Sequence, residues 1–116
     1  MLVVDDDVGL QETLEAVLSY EGYDVMRARD GVDALAQIAQ RPPEVIVLDW
    51  AMPRMDGPSF VAALARQGLR PRIPILVLTA DGRALQKAAQ INAEACMAKP
   101  FDIDALLAEV ARLLAA

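Results

Sequence analysis

Residues 45–57 read Val-Ile-Val-Leu-Asp-Trp-Ala-Met-Pro-Arg-Met-Asp-Gly. Val45 to Leu48 is an apolar run of strand length that stops at Asp49, and Pro53 and Gly57 mark a turn before the next periodic segment. Such a run suits a strand covered on both faces, as in a parallel sheet. The same grammar repeats on either side. Upstream, Leu2 to Val4 reads as a buried strand, Leu10, Leu14, Val17 and Leu18 recur at helical spacing, and Gly22 offers a cap. Tyr23 to Ala28 reads as a second strand. Asp30 with Asp33 resembles a capping box, Ala34, Leu35 and Ile38 form an inner stripe, and Pro42-Pro43 forbids continuation. Downstream, Phe60, Val61 and Leu64 mark a third helix closed by Gly68, and Ile75 to Leu78 is a fourth strand. Arg83 to Ile91 is a weakly amphipathic fourth helix, and Ala95 to Ala98 is a short fifth strand. A final helix carries Leu106, Leu107, Val110, Leu113 and Leu114, with Asp102 as its N-cap. Five β/α repeats in 116 residues predict one α/β unit, a doubly wound (βα)5 parallel five-stranded sheet with right-handed crossovers.

Composition narrows the chemistry. A hydrophobic fraction of 55% suffices for one core, and no apolar run approaches the roughly 20 residues of a membrane span. Met1 leads into Asp5, Asp6 and Asp7 with no basic n-region or long h-region, so no secretory signal is expected, and a single cysteine, Cys96, fits a reducing, cytoplasmic setting. The net charge of -6 gives no electrostatic footprint for nucleic acid. Histidine is absent, which removes Ser-His-Asp catalysis, histidine zinc sites and phosphohistidine chemistry within the chain. Carboxylates, hydroxyls and lysines remain.

Open parallel sheets bind ligands beyond the carboxyl ends of their strands. Those ends carry Asp5, Asp6 and Asp7 after the first strand, Asp49 after the third, Thr79 after the fourth and Lys99 after the fifth. Any one of them alone would be ordinary: a solvated turn, a turn residue, a local hydrogen bonder, an exposed lysine. Converging carboxylates, however, raise one another's pKa unless a cation neutralises them, and hard oxygen ligands suit Mg²⁺. One carboxylate can then attack phosphorus while metal, ammonium and hydroxyl take up charge on the phosphoryl oxygens. Asp7 is expected to cap the first helix, and Met52 and Met55 to pack the loop after Asp49.

The motifs VVDDD, VLDWAMPRMDG, VLTA and MAKPF stand in the order and approximate spacing seen in response-regulator receiver domains of two-component systems, which the whole chain, residues 1–116, resembles. The resemblance implies a flavodoxin-like strand order 2-1-3-4-5. It implies Asp49 as phosphoacceptor, Asp5 and Asp6 as the acidic pair, and Mg²⁺ held by Asp6, Asp49 and the backbone carbonyl of Ala51. Thr79 and Lys99 would grip the phosphoryl oxygens, and the Lys99-Pro100 peptide would be cis. The implied partner is a sensor histidine kinase or histidine phosphotransfer domain, with an effector domain or a second copy downstream. The chain would be a signalling domain rather than a turnover enzyme.

Three features depart from the pattern. Cys96 stands where the family usually carries an aromatic three residues before the lysine, the Thr79–Lys99 segment is a couple of residues short, and Asn92-Ala93 replaces the usual Gly-Ala. These keep open a degenerate receiver acting as a phosphorylation-independent interaction module. A haloacid-dehalogenase-like phosphatase, suggested by Asp5 and Asp7, would leave Asp49 without a role.

Overall fold

The computed structural model of the chain describes residues 1–50, 55–70, 72–80, 86 and 89–115. The strands are β1 (Leu2–Val4), β2 (Met26–Ala28), β3 (Ile46–Asp49), β4 (Ile75–Thr79) and β5 (Ala95–Ala98), and all are parallel in the order β2-β1-β3-β4-β5. The helices are α1 (Val8–Tyr20), α2 (Gly31–Gln40), α3 (Gly57–Arg66) and α4 (Ile103–Ala115). The doubly wound sheet and its strand order are as expected.

Side chains alternate across each strand and so feed two cores. Leu2, Val4, Ile46, Leu48, Ile75 and Val77 face Ala34 and Ile38 of α2 and Phe60 and Leu64 of α3. Val3, Val47, Leu76 and Leu78 face Leu14 and Leu18 of α1 and Leu106, Val110 and Leu113 of α4. The central strands are buried on both faces, which is why they read as unbroken apolar runs.

Caps set the helix boundaries. The side chains of Asp7, Asp30 and Asp56 accept hydrogen bonds from the backbone N–H groups of Leu10, Asp33 and Ser59 respectively. Asp102 receives the Ala105 N–H at 3.3 Å and so caps α4. Gly22 and Gly68, at φ +95° and +75°, close α1 and α3, where the next residue's N–H returns to Leu18 O and Leu64 O respectively.

That closure explains the main boundary error. Tyr23 was expected to open β2, but its N–H is committed to Leu18 O, 3.1 Å away, and the strand starts only at Met26. β3 runs one residue later than expected, so Asp49 is the last strand residue. Of the predicted fourth helix, Gln86, Ala89 and Gln90 are helical and Ile91 lies in a turn; its other residues lie outside the described ones, as do Ala51 and Met52. Met55 packs as expected, against the first core and over Gly31, where an added Cβ would lie 2.9 Å from its own Cβ.

Phe60 is fully buried among strand residues of the first core. Phe60→Ala should therefore cost about 3–5 kcal/mol, read as a lower urea midpoint with an unchanged slope.

Candidate functional site

Strand register assembles the site. Val4 pairs with Leu48, so Asp5 and Asp49 leave β1 and β3 side by side; Thr79, the last residue of β4, pairs with Ala98, so Lys99 follows beside it. Three backbone hydrogen bonds extend the ladder past the strand ends: Asp5 N–H to Ala28 O at 3.0 Å, Trp50 N–H to Leu78 O at 2.9 Å and Lys99 N–H to Thr79 O at 2.7 Å.

Asp5, Asp49 and Thr79 are buried, at 1%, 6% and 3% exposure. Buried carboxylates need partners. Lys99 Nζ supplies one, 3.2 Å from Asp5 Oδ2 and 3.1 Å from Asp49 Oδ1. The other oxygen of Asp5 accepts the Asp7 N–H at 2.9 Å. Asp6 is exposed, and its carboxylate has no partner among the described residues. One carboxylate oxygen from each of Asp5, Asp6 and Asp49 can be chosen so that all lie within 4.8 Å of one another. Lys99-Pro100 is cis, as the resemblance implied. The structure thus brings Asp5, Asp6, Asp49 and Lys99 together with Thr79 at the adjoining strand end, while Ala51 lies outside the described residues. Asp7 caps α1, as expected.

Burial pushes the Asp49 carboxyl above its ordinary range; the Asp5 charge adds to this, Lys99 opposes it, and Asp6 adds a smaller push. Burial alone would lower Lys99, but the charges of Asp49 and Asp5 and its hydrogen bonds to them hold it above its ordinary value. A carboxylate that resists ionisation beside two further acids marks a site short of positive charge. Three oxygen-donor carboxylates, one with no partner among the described residues, fit a hard divalent cation that keeps some of its own waters.

The sequence reading missed Gln11. It is buried at 3% exposure, and its side-chain amide donates to Asp5 O at 2.6 Å and Ala28 O at 2.5 Å. Its place three residues before Leu14 and seven before Leu18, on the apolar stripe of α1, was the available signal.

The response regulator receiver domain family model matches residues 1–111. The chain belongs to this family. The receiver is 43% identical over 116 residues to the response regulator MprA of Mycobacterium sp. (strain KMS), and to its counterpart in Mycobacterium tuberculosis (strain ATCC 25618 / H37Rv). Each match covers 98% of this chain but 50% of the relative, so the chain spans about half the length of these relatives. Among solved structures, a putative response regulator from Chloroflexus aurantiacus J-10-fl has TM-score 0.91 at 36% identity, covering 99% of this chain and 96% of that one. The receiver domain of NtrX from Brucella abortus has TM-score 0.89 at 30% identity, covering 99% and 98%. CheY4 of Vibrio cholerae has TM-score 0.88 at 34% identity, covering 97% and 96%.

A raised folded-state pKa fixes a sign for this receiver. Protonated Asp49 favours the folded state, so its contribution is present below the ordinary carboxylate range and is lost as pH rises through the raised folded value. Lys99 titrates far above that window. In chelator, Asp49→Asn should therefore melt a few degrees above wild type at neutral pH, with the gap closing as pH falls through the carboxylate range. A constant gap across pH would count against this cause.

Proposed function

We propose that residues 1–116 act as one phosphoacceptor domain in two-component signalling, with Asp49 taking a phosphoryl group from a phosphohistidine on a sensor kinase or histidine phosphotransfer domain. The observation that carries this is the Asp49 carboxylate at the end of β3, buried, 3.1 Å from the Lys99 ammonium and clustered with Asp5 and Asp6. The absence of histidine from the chain means that the donor is another protein or domain. The half-length match to MprA supports an effector region elsewhere in the full protein, and a second copy is another downstream partner. No helix among the described residues is long and apolar enough to cross a membrane, in keeping with a cytoplasmic setting.

In the proposed step an Asp49 oxygen attacks phosphorus in line with the departing imidazole nitrogen. The O–P bond forms, the P–N bond breaks, and the bonding pair returns to the imidazole. Mg²⁺, held by Asp6 and Asp49 with the Ala51 carbonyl and with Asp5 alongside, would neutralise charge on the phosphoryl oxygens. Lys99 keeps Asp49 and Asp5 together before transfer and then donates to a phosphoryl oxygen. The Thr79 hydroxyl donates to another. The domain catalyses its own modification and signals through it. The cluster of Asp5, Asp6, Asp49 and Lys99, with Thr79 at the adjoining strand end, favours this reading over a phosphorylation-independent module.

Incubation with Mg²⁺ and acetyl phosphate should give one hydroxylamine-labile phosphoryl group per chain, absent in Asp49→Asn and formed at least about tenfold more slowly in Lys99→Ala, the loss of one positioned charge being worth about 1.4 kcal/mol or more. Label persisting in the Asp49 variant would sink the assignment. Mg²⁺ should also raise the melting temperature, since a ligand of the folded state at a hundredfold excess over Kd adds about 2.7 kcal/mol. Asp6→Ala should lose most of that gain.

A further inference from the structure

Five buried polar residues stand out among the described ones. Asp5, Asp49 and Thr79 belong to the site and Asp30 caps α2, which leaves Gln11. Its amide nitrogen reaches the carbonyls of Asp5 and Ala28, at the carboxyl ends of two neighbouring strands. The Ala28 carbonyl also receives the Asp5 N–H, so both backbone polar groups of Asp5 are tied at one point, where the β1 ladder has ended.

We propose that Gln11 is a positioning residue for the metal site: its amide clamps the Asp5 backbone to the end of β2 and thereby aims the following Asp6 carboxylate. This rests on the phosphoacceptor reading above. Asp6 has no side-chain partner among the described residues, and among these its direction follows from the Asp5–Asp7 backbone. That backbone is held by local bonds, Asp7 N–H to Asp5 Oδ1 and Leu10 N–H to Asp7 Oδ1, together with the Gln11 N–H to Asp7 O at 3.0 Å. The Gln11 amide ties the backbone of the turn to the sheet, while Lys99 holds the Asp5 side chain. Without it the Asp5 carbonyl would exchange a fixed donor for water from the pocket mouth, and the turn would gain freedom that Mg²⁺ binding must remove. Residues that orient metal ligands typically change affinity by about 10–100-fold when lost.

The test is a Mg²⁺ titration followed by the fluorescence of Trp50, the single tryptophan and the residue after Asp49, and independently by thermal unfolding. Wild type, Gln11→Leu, Leu14→Ala and Asp6→Ala are compared. Gln11→Leu should raise the half-saturating Mg²⁺ concentration about tenfold, while the phosphorylation rate at saturating Mg²⁺ stays within about twofold of wild type. Leu14→Ala, equally buried one turn on, should lower the melting temperature and leave half-saturation in place. If Gln11→Leu does not fold, Gln11→Asn, too short to span both carbonyls, is held to the same criterion. Half-saturation within about twofold of wild type in the Gln11 variant, or an equal shift in Leu14→Ala, overturns the proposal. Wild type and Asp6→Ala both indifferent to Mg²⁺ would instead overturn the metal site, and the role of Gln11 with it.

Discussion

The Lys99 ammonium joins two buried carboxylates that the strand register forces together, and the polar end of the sheet is organised around that bridge. At an effective dielectric of about 20, unit charges about 4 Å apart interact by about 4 kcal/mol. One lysine can therefore offset the repulsion between Asp5 and Asp49, but not that of a third acid. Asp6 stays at the surface, where water carries part of the cost. Burial first, and then this excess of negative charge, make Asp49 hold its proton more tightly than an ordinary aspartate, and the cluster of oxygen donors suits a divalent cation. Stability and binding are thus in tension at one point. The apolar layers on both faces of the sheet supply the stability that the mouth of the pocket gives up.

The helices contribute to the site through their ends. Asp7 and Asp56 cap α1 and α3, the helices that follow β1 and β3, so the chain at these two residues is tied to the first turn of each helix. The Trp50 ring packs over Gly57, where an added Cβ would come within 3.2 Å of it. A side chain at that position would push the aromatic, and with it the residue following Asp49.

Most of this architecture was legible in the sequence because the signals were local or periodic. The runs at Leu2, Val45 and Ile75 announce central strands, and the Asp and Gly punctuation announces helix ends. The reading failed where two local signals competed. Tyr23 and Val25 have strand-forming side chains, but the backbone of Tyr23 is already spent on closing α1. It was silent on Gln11, because a glutamine on a helix gives no hint that two carbonyls from different strands await it. The sequence placed Asp49, Thr79 and Lys99 at strand ends; their separations came only from the register. Cys96 was read as a departure, and it lies half-buried against the first core, paired in register with Val77.

Lys99 and Asp5 are 94 positions apart in sequence, and Asp49 lies almost midway between them. The pocket is therefore among the most non-local features of the chain, and it forms only when the first, third and fifth strands share one sheet. A chain emerging from the ribosome displays Asp49 well before the lysine that gives it its environment has been synthesised. Until then that aspartate is an ordinary solvated acid, so competence for signalling doubles as a certificate that the whole domain has been completed and closed.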